Sequence, residues 1–154
     1  MTAFPSPQSR AVRAGIATDP AFGAVMPPVY LSTNFTFPAV GTSPAYDYTR
    51  SGNPTRDHLR DLLADLEGGA GCAVTSSGMS AIHLTLQLLE PEDLLVVNHD
   101  CYGGLHRLVQ ASAKKGAFKA LFVDLSDGDS LSAAMDRGPA MVWIETPSNP
   151  LLRV

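Results

Sequence analysis

Apolar and polar positions follow two different rhythms along this chain, and the change comes near Asn53. Leu59, Leu62, Leu63 and Leu66 recur at i, i+3, i+4 and i+7, which predicts a helix. Asn53 is placed to cap it, Pro54 suits its first position, and Gly68-Gly69 suits its end. Beyond that point continuous apolar runs alternate with helical spacing. Residues 72–76 (CAVTS) predict a strand, and Met79 to Leu89 a helix with Met79, Ile82, Leu86 and Leu89 on one face. Residues 94–97 (LLVV) predict a strand, Gly104 to Lys115 a helix, and 120–125 (ALFVDL) another strand. Ser130 to Met135 reads as a short helix and 141–145 (MVWIE) as a strand. Strands without polar alternation, separated by helices, imply a parallel sheet covered on both faces and an α/β fold.

Residues 1–54 lack this order. They hold eight of the chain's 12 prolines and little periodicity, so they read as an extended arm that packs on another body, a second subunit being one candidate. Residues 55–154 form the first part of an α/β domain. A chain of 154 residues can bury a substantial core. With a net charge of −4 and scattered basic residues, nothing favours nucleic acid. No apolar run reaches membrane-spanning length, and the first residues lack the apolar core of a secretory signal, so the expected compartment is the cytoplasm. Cys72 and Cys101 are too few for a disulfide framework or a zinc pattern. Cys72 is expected to be buried.

In a parallel sheet, ligands collect beyond the carboxyl ends of the strands. Three polar, turn-rich loops follow the strands there: 76–79 (SSGM), 98–104 (NHDCYGG) and 146–150 (TPSNP). The first could cradle one phosphate on its backbone N–H groups, with a serine hydroxyl assisting, or be a plain serine-capped turn. It lacks the lysine of a P-loop and the spacing of a dinucleotide fingerprint. Tyr102 offers a ring that stacks on a flat ligand or plugs the loop against the core. Tyr48 and Arg50 suit phosphate, or simply face water. Asn149 can donate to a ligand oxygen, or serve the turn before Pro150. His99, Asp100 and His106 lack a further ligand at metal-binding spacing, so no metal is expected.

Taken together, residues 46–59 (YDYTRSGNPTRDHL), 66–83 (LEGGAGCAVTSSGMSAIH), 99–104 (HDCYGG) and 144–154 (IETPSNPLLRV) resemble the cysteine/methionine-metabolism family of pyridoxal-phosphate enzymes. Its members include cystathionine γ-synthases, cystathionine γ- and β-lyases, methionine γ-lyases and O-acylhomoserine sulfhydrylases. The resemblance runs from about residue 26 to the last residue, and the last two motifs look most like bacterial cystathionine γ-synthases. It implies the N-terminal part of a fold-type-I pyridoxal-phosphate transferase, resembling aspartate aminotransferase.

For the site, the resemblance implies that Ser77, Gly78 and Met79 hold the cofactor phosphate. Tyr102 would stack on the pyridine ring and handle protons near the substrate amino group, as the catalytic residue of this segment. Asn149 would bond the phenolic oxygen. Tyr48 and Arg50 would reach the cofactor of a neighbouring subunit, in a homo-oligomer, commonly a tetramer. The implied reaction is γ-replacement, in which cysteine displaces the acyl group of an O-acylhomoserine, the succinyl ester being expected, to give cystathionine. A lyase or sulfhydrylase shares all of these loops. Family chains continue past the position of Val154, and the lysine that binds the cofactor lies in that continuation. Lys114, Lys115 and Lys119 sit away from the ligand edge, so the isolated chain is expected to be inactive. Outside enzymes of the family, two other classes stand: a non-catalytic paralogue serving assembly, and an unrelated nucleotide-binding α/β domain.

Overall fold

A computed structural model describes residues 6–154, which divide into two compact units, residues 6–74 and 75–154. The first unit contains a helix that the periodicity did not reveal, α1 (Pro7–Arg13). Ser6 caps it by accepting the Ser9 N–H, and Pro7 opens it. Arg10 bonds Asp65 at 3.0 Å and so ties α1 to the predicted helix, α2 (Pro54–Glu67). The expected punctuation of α2 is present. Asn53 accepts the Thr55 N–H at 2.9 Å, and Gly68 ends the helix at φ 65°, the left-handed conformation that glycine adopts without penalty.

Among the described residues of this unit Asn53 is the one buried residue. Its amide also donates to Tyr30 O and Thr49 Oγ1. The unit is therefore held largely by caps and loop hydrogen bonds, and many of its large apolar side chains stay exposed. Phe22 is 95% exposed, Leu31 90% and Val29 70%.

The second unit carries the sheet. It runs α3 (Gly78–Leu86), β1 (Leu94–Asn98), α4 (Gly103–Lys114), β2 (Lys119–Val123), α5 (Gly128–Met135) and β3 (Met141–Trp143). Strand order is β2-β1-β3, all parallel, with Leu95 opposite Ala120 and Met141. The first crossover moves one way along the sheet and the second moves back past β1. Right-handed crossovers then demand helices on opposite faces.

The core obeys that demand. Leu95 and Val97 point to one face, with Leu86, Leu105, Val109 and Phe118; Leu94 and Val96 point to the other, with Val123 and Ala134. All five residues of β1 are buried, which explains its unbroken apolar run.

One predicted strand is absent. Residues 71–75 have no ladder, and the expected strand at 72–76 is corrected to an unpaired segment. A β-branched apolar run favours an extended backbone, but a strand needs a partner, and no described segment supplies one. Cys72 is accordingly half-buried rather than buried. The α3 helix also stops three residues short of the expected Leu89, although Leu86 and Leu89 both reach the core. No helix among the described residues is long and apolar enough to cross a membrane.

Candidate functional site

The crossovers diverge at the junction of β1 and β3, so the carboxyl ends of these strands form the topological switch point where α/β sheets bind ligands. Two of the three loops that sequence reasoning singled out, 98–104 and 146–150, leave from here, while 76–79 follows the unpaired segment and no strand. Asn98 ends β1 and is buried. Its side chain receives the Glu145 N–H at 3.3 Å and donates to Asp100 at 3.1 Å. Asp100 in turn accepts the Ser148 hydroxyl at 2.7 Å, and Ser148 is 2% exposed. Ser148 Oγ accepts the Arg153 N–H, while the guanidinium of Arg153 lies 3.7 Å from Asp100.

The carboxylate of Glu145 accepts the backbone N–H of Tyr102 at 2.6 Å. Residues 98–104 and 145–153 are thus one hydrogen-bonded assembly. The Ser148 hydroxyl chiefly, then Asn98 and Arg153, holds the Asp100 carboxyl below its ordinary value. Burial, aided by the Glu145 charge, pushes the Cys101 thiol up, so this buried cysteine stays a thiol.

Ser77 caps α3 by accepting the Ser80 N–H at 3.1 Å. The N–H groups of Gly78 and Met79 belong to the first turn and have no intrahelical acceptor. A Cβ built on Gly78 would meet nothing within 4 Å, so the backbone at the start of α3 is open on that side. Tyr102 is 42% exposed and opens α4 without a side-chain cap. Its ring and the Met79 sulfur lie against the same spot, Gly104. The structure therefore brings Met79 and Tyr102 together and joins the Tyr102 loop to the Asn149 loop. Asn149 itself is exposed, between cis peptide bonds at Thr146–Pro147 and Asn149–Pro150.

In the first unit Arg50 lies over the Tyr48 ring, 4.9 Å from its centroid. Arg56 holds their loop by donating to Thr49 O and Arg50 O, and Tyr46 donates to Asp57 at 2.8 Å. The two predicted phosphate partners are adjacent and exposed on a pinned loop.

A cavity of about 120 Å³ at the strand ends is lined by Asn98, Asp100, Asp124, Glu145, Ser148 and Arg153. It is smaller than the roughly 300–1,000 Å³ of ligand clefts, and none of the expected cofactor-binding residues lines it. It is the interior of the clamp. Sequence reasoning missed Asn98, Glu145 and Ser148 as builders of the site. The available signal was a polar residue closing each apolar run, Asn98 after 94–97 and Glu145 after 141–144. His99 faces Asp124 at 4.0 Å and Arg153 at 3.3 Å, and His106 stacks on Phe122.

Known proteins share this fold and much of this sequence. The chain is 52% identical over 145 residues to cystathionine γ-synthase of Escherichia coli strain K12, covering 94% of this chain and 38% of that protein. It is 40% identical over 147 residues to cystathionine β-lyase of Lactococcus lactis subsp. cremoris strain MG1363, covering 96% and 39%. The crystal structure of cystathionine γ-synthase from Xanthomonas oryzae pv. oryzae, in complex with aminoacrylate and cysteine, superposes with a TM-score of 0.93 at 55% identity. That match covers 99% of this chain and 40% of that one. The chain therefore spans about two fifths of the length of these relatives. The family model for Cys/Met metabolism PLP-dependent enzymes matches residues 8–154, and the chain belongs to that family.

Proposed function

We propose that this chain is the N-terminal portion of a pyridoxal-phosphate-dependent cystathionine γ-synthase, which joins O-succinylhomoserine and cysteine into cystathionine for methionine biosynthesis. The observation that carries this reading is the 52% identity to the E. coli synthase, against 40% to the L. lactis β-lyase. The residues present fit the cofactor. Gly78 and Met79 offer two unpaired N–H donors, at the positive end of a nine-residue helix, to a phosphate dianion, and Ser77 adds a hydroxyl. The ring of Tyr102 would cover the pyridine and handle protons near the substrate amino group, and the Asn149 amide would bond the phenolic oxygen. When bound, the cofactor accepts electrons from substrate carbanions.

The chain's own residues bind and orient. Glu145 and Asp100 keep the Tyr102 and Asn149 loops in register. Tyr48 and Arg50 serve the cofactor of a sister subunit in a cytoplasmic homo-oligomer, and the exposed apolar residues 22–40 of the first unit support such an interface. The domain boundary proposed from sequence, an inter-subunit arm over 1–54 and the start of a cofactor-binding domain over 55–154, belongs to the same reading.

Lys114 is the last residue of α4 and Lys115 its C-cap, and Lys119 opens β2 with its amine 2.6 Å from Glu92. These positions are at the amino end of the sheet, opposite the site. No lysine among the described residues is placed to hold the cofactor, so the isolated chain is inactive.

The test is direct. The complete protein is assayed with O-succinylhomoserine plus cysteine, and separately with cystathionine alone. Net synthesis in the first supports the proposal. Breakdown of cystathionine without synthesis would replace it with the lyase reading that the β-lyase similarity favours. Residues 1–154 with pyridoxal phosphate should give no borohydride-trapped adduct, and a trapped one would overturn inactivity.

A further inference from the structure

Gly104 is the second residue of α4, and its backbone is not in the left-handed region, so its conformation does not require glycine. Inside a helix glycine costs about 1 kcal/mol relative to alanine. Its neighbour Gly103 stands in open surroundings, since a Cβ there would meet Arg107 Nη1 at an ordinary 3.5 Å. At Gly104 the result differs. A Cβ would overlap Tyr102 Cε1 and lie 3.0 Å from Cζ and 2.9 Å from Met79 Sδ. Real Cβ contacts essentially never come that close, so the ring would have to leave its place.

The Tyr102 backbone is tethered through its N–H to Glu145, and its side chain makes no helix-capping bond. Packing on Gly104 and Met79 therefore decides where the ring lies. Met79 also supplies one of the open N–H donors at the start of α3.

We propose that Gly104 is a positioning residue: its missing side chain is the seat that lays the Tyr102 ring across the first turn of α4, beside the α3 N-terminus. The consequence for catalysis rests on the reading of Tyr102 as the ring over the cofactor. A helix start would gain from alanine, and the glycine keeps the ring low.

The experiment uses the complete protein loaded with pyridoxal phosphate and four variants: Gly104→Ala, Gly103→Ala, Tyr102→Ala, and Tyr102→Ala with Gly104→Ala. The visible circular dichroism of the bound cofactor, kcat, KM and the melting temperature of the cofactor-free protein are measured. Gly104→Ala is expected to alter the cofactor dichroism and lower kcat by about tenfold or more, as misplacement of a reacting group does, without lowering the cofactor-free melting temperature. Gly103→Ala should stay within about twofold of wild type in kcat, as expected for a surface position. In the Tyr102→Ala background, Gly104→Ala should change kcat by less than about twofold, because the two positions act through one contact.

A wild-type spectrum and kcat for Gly104→Ala would overturn the inference, as would an equal loss in the Tyr102→Ala background. A Tyr102→Ala protein with unchanged dichroism and kcat would instead overturn the reading of Tyr102, and the catalytic role of Gly104 with it. Should Gly104→Ala yield no soluble protein, recovery in the double variant supports the steric contact, and no recovery overturns it.

Discussion

Asp100 and Ser148 are 48 residues apart in sequence and 2.7 Å apart in space. Neither carried a signal for this pairing, because a hydroxyl before Asn-Pro and a carboxylate after a histidine are ordinary turn residues. The bond has a measurable consequence. The folded protein holds Asp100 below its ordinary value near 3.8, chiefly through the Ser148 hydroxyl. A depressed folded value means that the anion is favoured by folding. Its stabilisation is complete above the unfolded value and disappears as pH falls through the folded one. Urea titrations at several pH values should therefore show wild type more stable than Asp100→Asn near neutrality, with the gap closing below about pH 4, where the unfolded carboxyl titrates. A gap that stays constant down to pH 3 would exclude this account. Asn53 contrasts with Asp100. Its cap on α2 was legible because it depends on neighbours two residues away, whereas its bonds to Tyr30 and Thr49 needed the folded loop.

At the scale of elements, local rules succeeded where the element supplies its own evidence. The punctuation of α2 by Asn53, Pro54 and Gly68 and the burial of β1 on both sides follow from spacing alone. Helix α1 escaped because seven residues among prolines are too short for periodicity to register, although Ser6-Pro7 is a start signal. The segment 72–76 failed for the opposite reason: its residues prefer extension, but pairing is a property of two segments. Leu105 belongs to α4 and is fully buried against Leu95, Val97 and Leu86. Leu105→Ala should lower stability by about 2–5 kcal/mol, the cost of a large-to-small change in a core that cannot fully collapse. Chemical denaturation measures it, and a loss below 1 kcal/mol would mean that the helix relaxes into the gap.

For the whole molecule, the strand order β2-β1-β3 turns a list of loops into a site. It sets α4 and α5 on opposite faces and leaves the ends of β1 and β3 as the switch point. The proposed oligomer makes a further prediction. If Tyr48 and Arg50 of one subunit complete the site of another, Arg50→Ala and Tyr102→Ala damage different halves of each site. Mixed dimers then contain one intact site of two, and co-expressed variants should recover about a quarter of wild-type activity under random pairing in a two-fold dimer. Recovery no greater than the average of the two single variants would show that each site is built from one chain. The polypeptide by itself determined the alternation of helix and strand, the caps, the motif loops and their family, because these depend on residues close along the chain. Only the tertiary structure decided that 72–76 stays unpaired, that Asn98, Glu145 and Ser148 bind two loops together, and that Gly104 makes room for Tyr102. These are contacts between distant segments, and their energies exist only once packing has brought the segments together.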